Sequence, residues 1–262
     1  MALDDKCVIC GTVRNCGPWI ERALENMHTI GKAFAEYKIV LFYDESKDRT
    51  LAKLQAAQQR HPDIITLLIN KDHMHELRTF RIAKGRNACM SVIRKEFANY
   101  SYFVVMDCDD RAAYAINTPL LHRCLARPDW DSISFRHPVH YYDSWALSMR
   151  PFVYNCYGFR DHSKGVRYMK QAMARTPRSK LIRVISAFNG IAIYRTPKFL
   201  NCTYDGAFNR ALFPEFMYRE NLRAQGPFLQ LTKADCEHKS FHVQAVRRNG
   251  ARIRVSPEQM FL

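Results

Sequence analysis

The sequence predicts a single α/β domain with a mainly parallel central sheet flanked by helices. Two observations carry that reading. Apolar runs of strand length alternate with runs of helical periodicity through the first half of the chain, and one of those strands is apolar throughout and ends abruptly in acids. With 262 residues and 47% hydrophobic content, the chain can form one sizeable core, and no repeat, low-complexity tract or Gly/Ser linker divides it.

Residues 7–13 read as the first strand. Gly17-Pro18 opens a helix, with proline in its permitted first turn, and Ile20, Ala23, Leu24, Met27, Ile30 and Phe34 repeat at helical spacing. Residues 39–43 form the next strand. The loop Asp44-Glu45-Ser46-Lys47-Asp48 brings capping side chains to a helix bearing Leu51 and Leu54, and residues 64–69 make a third strand. A helix over about 81–97, with Met90, Ile93 and Phe97 on one side, leads to the acidic strand end. Repeated β-α units imply right-handed crossovers. Beyond Asp110 the pattern loosens to a short helix at 120–125, a strand at 131–135 and a stretch rich in aromatics and Arg. A strand at 190–194 follows, then Asn249-Gly250 as a helix C-cap before a last strand at 252–255.

The functional clue is the run Tyr102-Phe103-Val104-Val105-Met106-Asp107-Cys108-Asp109-Asp110. Ligands of open α/β sheets gather outside the carboxyl ends of such strands, so Asp107 and Asp109 sit where a substrate would. Two neighbouring carboxylates repel unless a cation joins them, and hard oxygen ligands suit Mg²⁺ or Mn²⁺. The same acids also suit a plain capping loop for the next helix.

Forty Lys and Arg against 25 Asp and Glu give a formal charge of +15, which favours an anionic partner without choosing among nucleotide, phosphorylated glycan, membrane surface and nucleic acid. Residues 164–183 hold seven basic side chains and no acid, and are read as a solvated face or a mobile flap. Nine cysteines, an odd number in a chain too large to need disulfide staples, indicate a reducing compartment. Cys7-Val8-Ile9-Cys10 has C-x-x-C spacing, but alternation along a strand sends the two sulfurs to opposite faces. No apolar run reaches membrane-span length, and Met1-Ala2-Leu3-Asp4-Asp5 lacks the form of a signal peptide. The expectation is a cytoplasmic protein with no membrane span.

In order along the chain, Gly11-Thr12-Val13-Arg14-Asn15, Tyr43-Asp44-Glu45-Ser46, the segment 78–87, Asp107-Cys108-Asp109, Tyr142-Asp143-Ser144-Trp145, Ser186-Ala187-Phe188-Asn189-Gly190 and Asp235-Cys236-Glu237-His238 with His242 resemble GT-A glycosyltransferases. The resemblance is strongest to the small soluble enzymes encoded by large DNA viruses, and more distant to fungal capsule mannosyltransferases; a viral origin would put the protein in host cytoplasm. It implies a single Rossmann-like GT-A domain over 1–262, with a nucleotide-binding half at about 1–110 and an acceptor-binding half at about 111–262. It implies transfer of a sugar from a UDP- or GDP-linked donor to a glycan or glycoprotein hydroxyl, with Mn²⁺ or Mg²⁺.

The roles implied follow that order. Thr12, Val13, Arg14, Asn15, Asp44 and Glu45 hold the nucleotide, with Cys108 beside them. Arg78, Arg81 and Arg86 can offer forked donors to a diphosphate, Arg86-Asn87 being the favoured pair. Asp107 and Asp109 hold the metal, with His238 or His242, at i and i+4, completing its shell. Asp143, Trp145, Asn189 and Gly190 form the acceptor corner. Glu237 is the candidate general base for an inverting reaction, with Asp235 second.

Two rival readings remain. A nucleotidyltransferase fits a related sheet but wants a better phosphate loop than residues 11–17 provide. A nucleic-acid-binding protein fits the charge, but no recognised module appears and no nucleic acid is expected as partner. Oligomeric state is not legible.

Overall fold

Strand β4 (Tyr102–Met106) is buried at every position and lies near the middle of an eight-stranded sheet. The structure, a computed structural model, describes residues 3–72, 75–138, 141–155, 159–161, 163–229 and 233–262. The first half runs β1 (Leu3–Val13), α1 (Ile20–Gly31), β2 (Phe34–Tyr43), α2 (Thr50–Arg60), β3 (Ile65–Ile69) and α3 (Arg78–Glu96) into β4. The second half contains α4 (Thr118–Leu125), β5 (Ser132–Arg136), α5 (Lys164–Arg175), β6 (Ile182–Arg183), β7 (Ile191–Arg195), α6 (Glu215–Gln225), α7 (Glu237–Asn249) and β8 (Ile253–Gln259). The sheet order is β3-β2-β1-β4-β7-β5-β8-β6. β1, β2, β3 and β4 pair in parallel, as do β5 and β8, while β7 and β6 run antiparallel to their neighbours. The fold class is therefore the mainly parallel α/β sheet that the sequence predicts.

Alternation along each strand divides two cores. Cys7, Ile9, Val104 and Met106 face the layer holding α1 and α4, whereas Val8, Cys10, Phe103 and Val105 face α3 and α7. Cys7 and Cys10 thus lie in different cores. The eight described cysteines are all free and buried, and Cys156 lies outside the described residues.

Several details differ from expectation. Phe34 starts β2 and does not end α1; its ring is buried in the same core under either assignment, so helical spacing alone could not separate them. α1 begins at Ile20, two residues beyond Pro18, which sits in the preceding turn. The basic segment forms helix α5 and edge strand β6, with its cations on a solvated face. Gly165, Met169 and Met173, spaced by four, give α5 a buried side against Tyr141, Leu147 and Ile182.

One close approach positions the site. A Cβ on Gly85 would lie 2.6 Å from Phe42 Cδ1 and 2.8 Å from Thr12 Cγ2, so glycine lets α3 settle directly onto β1 and β2. That contact brings Arg86 over the carboxyl end of β4. α7 packs on the same face through Phe241 and Ala245, and its first turn meets Arg86 there.

Candidate active site

The carboxyl ends of β1, β2 and β4 open onto a cavity of about 600 Å³. Asp107 and Asp109 both line it. The Asp107 amide donates to Gly190 O at 2.9 Å, carrying the ladder one residue past β4. Asp109 Oδ1 also accepts from Arg111 N at 3.0 Å and caps a short 3₁₀ turn. Capping and cavity lining therefore coexist in Asp109.

The deepest feature is an arginine among acids. Arg86, buried, ion-pairs with Glu237 Oε1 and approaches Asp107 Oδ1 at 3.5 Å, with its guanidinium carbon 4.8 Å from the Phe188 ring centre. Burial works against its charge, but Glu237 and Asp107 more than compensate and raise its pKa. Asp107 is 26% exposed, and burial followed by repulsion from Asp109 pushes it up to about 8, with Arg86 offsetting part of the rise. Burial also raises Asp109, against the Arg111 amide. For both carboxyls burial outweighs the cations nearby.

On the first-half side, Thr12, Val13, Arg14, Asn15, Asp44 and Cys108 line the cavity. Asn15 adopts a φ of 51°, and its Oδ1 accepts from Lys47 N at 2.8 Å while its own amide donates to Ser46 Oγ at 2.9 Å. The loops after β1 and β2 are thereby clamped together. Asp44 Oδ1 accepts from Asn70 Nδ2 at 2.9 Å. Glu45 is exposed and off the cavity wall, meeting the site through its backbone: its carbonyl accepts from Arg14 Nε at 3.1 Å and its amide donates to Asp44 Oδ1 at 3.1 Å. At the start of α3, Arg78 and Arg81 line the cavity, Arg81 being tied to the carbonyls of His75 and Glu76.

The opposite wall holds Tyr142, Asp143, Ser144, Trp145 and Phe188. Asn189, with a φ of 80°, lies behind this wall: its Oδ1 accepts from the amides of Tyr142 at 2.9 Å and Asp143 at 3.3 Å, and its Nδ2 donates to Phe135 O at 3.0 Å. Asn189 and Gly190 thus shape the corner without lining it. Asp143 is raised by burial, against the amide of Ala146, and its repulsion with Glu237 adds to the rise.

The C-terminal cluster divides. Glu237 and His238 line the cavity; Asp235 and His242 do not. Asp235 receives Lys239 Nζ on both oxygens at 2.7 Å, a buried pair at i,i+4 spacing. His242 hydrogen-bonds with Ser186 Oγ at 2.9 Å and Tyr194 OH at 3.2 Å, and burial followed by Arg86 pushes its pKa down to about 3. Asn87 likewise faces elsewhere, bracketing Tyr204 by donating to its carbonyl and accepting from its amide, both at 2.8 Å. Its adjacency to Arg86 placed it with the site, but successive helix residues do not share a face. Tyr142 and Phe188 are cavity residues assigned no role from sequence, although each directly precedes one that was.

Among the described residues no group of three or more His, Cys, Asp or Glu side chains is placed to hold a metal ion. Two carboxylates do fit a cation that keeps several waters and takes phosphate oxygens, as Mg²⁺ does, and do not fit a closed zinc site. His238 Nε2 lies against the Arg86 guanidinium, and burial lowers the His238 pKa, with Arg86 adding to the effect.

No protein-family model and no curated protein matches the sequence. Solved structures do. S. aureus TarS superposes with a TM-score of 0.52 at 15% identity, covering 98% of this chain and 36% of that one. TarS 1-349 in complex with UDP gives 0.50 at 14%, covering 98% and 59%. The mannosyltransferase PcManGT from Pyrobaculum calidifontis, in complex with GDP-Man and Mn2+, gives 0.45 at 14%, covering 94% and 61%. The chain spans less than two thirds of each of these structures. At such identities the likeness is one of fold, the GT-A type.

Proposed function

We propose that this chain is a metal-dependent glycosyltransferase that moves a sugar from a UDP- or GDP-linked donor to a glycan hydroxyl. One observation carries the reading: Asp107 and Asp109 share a cavity with Arg78 and the amino end of α3, at the carboxyl ends of parallel strands. Acids poised for a cation beside a helix amino terminus and arginines suit a metal-bound diphosphate. The GT-A fold supports the assignment.

In this reading residues 1–110 bind the donor and 111–262 the acceptor. The loop at Thr12–Asn15 and the Asp44 carboxylate hold the nucleoside. Asp107 and Asp109 hold Mn²⁺ or Mg²⁺, which when bound supplies charge neutralisation to the leaving diphosphate. Arg86 keeps Glu237 and Asp107 from repelling each other and sets their separation. Trp145 and Asp143 receive the acceptor sugar. Glu237, on the wall shared by both substrates, takes the acceptor proton, and Asp235, committed to Lys239, orients the first turn of α7.

Calorimetry with UDP, GDP and their sugar conjugates, with and without Mn²⁺, tests this. Metal-dependent binding of one nucleotide series, followed by slow donor hydrolysis, is the expected result. Nucleoside triphosphate turnover without sugar-nucleotide binding would instead support a nucleotidyltransferase.

A further inference from the structure

The sequence carries no Asp or Glu between Asp161 and Asp205. Within that stretch α5 buries Gly165, Met169 and Met173 and leaves Arg167, Lys170 and Arg175 exposed, continued by exposed Arg178 and Lys180 in the turn that follows. None of these five cations forms a salt bridge among the described residues, although Arg167 lies near enough to Asp161 to help lower its pKa; Lys164, at the start of the helix, pairs with Asp161 at 2.9 Å. Arg183 belongs elsewhere: it pairs with Arg254 across β6 and β8 and points to the other side of the sheet.

The buried side of α5 fixes where this charge lies. Met169 and Met173 pack on Tyr141 and Leu147, the residues that flank the cavity wall of Tyr142, Asp143, Ser144 and Trp145. The basic face is therefore the outer surface of the element that backs the acceptor corner. Among its cations stands Tyr168, 44% exposed, its ring 5.4 Å from Phe152. An aromatic held in place among cations presents both an apolar face and charge complementarity.

We propose that this face of α5, with Arg178 and Lys180, binds an anionic glycan, a chain bearing phosphate, sulfate or carboxylate groups, and leads its end to the corner at Asp143 and Trp145. The acceptor role rests on the transferase reading of the cavity. A bilayer is a poorer occupant, because the methionines that would enter it are already packed inside. A helix of this length spans about 18 Å, room for several charged sugar units in register with the cations.

The test uses the full chain with dextran sulfate as probe, against neutral dextran of equal length, single-stranded RNA and phosphatidylserine vesicles. Dextran sulfate should bind with an affinity that falls as salt rises, and neutral dextran should not. Replacing Arg167, Lys170, Arg175, Arg178 and Lys180 together by Gln should weaken that binding by about tenfold or more, with melting temperature and metal-dependent nucleotide affinity unchanged. The charge reversals Lys170→Glu and Arg175→Glu should act in the same direction. Wild-type affinity in the Gln variant overturns the proposal, as does tighter, α5-dependent binding of RNA or vesicles. Dextran sulfate binding that depends on these residues, without any nucleotide binding, overturns the transferase reading and leaves the anionic surface standing.

Discussion

The Tyr142 hydroxyl donates to Asp107 Oδ2 at 3.3 Å, across the cavity from Arg86, and it reaches there only because residue 190 has no side chain. Asp107 is thereby held from two sides, by Arg86 on Oδ1 and Tyr142 on Oδ2. A hydrogen bond to a ligating carboxylate orients it, and losing such a partner commonly weakens metal sites by about 10- to 100-fold. Tyr142→Phe should therefore weaken Mn²⁺-dependent UDP or GDP binding by roughly tenfold while leaving the melting temperature close to wild type. Calorimetric titration reads this, and unchanged metal dependence would remove Tyr142 from the site.

Gly190 has a φ of 94°, and a Cβ there would lie 2.5 Å from the Tyr142 hydroxyl oxygen. Gly190→Ala should destabilise by about 1–3 kcal/mol through backbone strain together with the clash. In the double variant Gly190→Ala, Tyr142→Phe the clash is gone and the strain remains, so part of the loss should return. Additive losses in chemical denaturation would show that the two residues do not meet.

How much of this could be read from the chain alone depends on distance in sequence. The β4 junction was legible because burial at consecutive positions and the acids that follow are local features, and the mainly parallel sheet followed from repeated β-α units. The α5 helix was hidden because its cations outnumber the three small or apolar residues whose spacing defines its buried side. Tyr142, Phe188 and the shared position of Arg86 and Glu237 depend on contacts between α3, α7 and loops that meet only in three dimensions. Asp235 is the instructive case: its partner Lys239, four residues on, takes both its oxygens, and it does not reach the cavity that Glu237 lines.

Asp107 makes the metal-free protein pH-sensitive. Its carboxyl is raised from the ordinary 3.8 to about 8, so the folded state holds a proton that the unfolded state releases. The stability it contributes is present below about pH 4 and is lost as pH rises towards 8. Asp107→Asn should thus melt close to wild type at pH 4 and above it at pH 8 in the presence of a chelator. Mn²⁺ affinity of the wild type should rise over the same interval, because binding must displace that proton. A variant less stable than wild type at pH 8 would mean that the charged Asp107 is already compensated.

Arg86 bridges two acids, holding Glu237 closely and Asp107 at 3.5 Å. Arg86→Met keeps much of the volume and leaves buried Glu237 without its cation, so it should destabilise by about 3–5 kcal/mol at neutral pH. Adding Glu237→Gln, which removes the charge left unpaired, should return part of the loss. Equal losses in the single and double variants would assign the effect to packing against Phe188 and not to charge.

Glu237 is the residue on which the proposed chemistry turns. It lines the cavity, starts α7 and holds Arg86, so its removal must be read through two measurements. Glu237→Gln keeps the shape and one acceptor oxygen for Arg86 but removes the basicity, and turnover should fall by about 10²- to 10⁴-fold with metal-dependent nucleotide affinity nearly unchanged. Glu237→Asp keeps the charge on a shorter arm and should recover part of the rate, because a proton acceptor tolerates displacement better than its loss. If both variants lose nucleotide affinity in step with turnover, the carboxylate serves the donor site through Arg86 instead, and Asp143, the other acid on the acceptor wall, becomes the residue to replace.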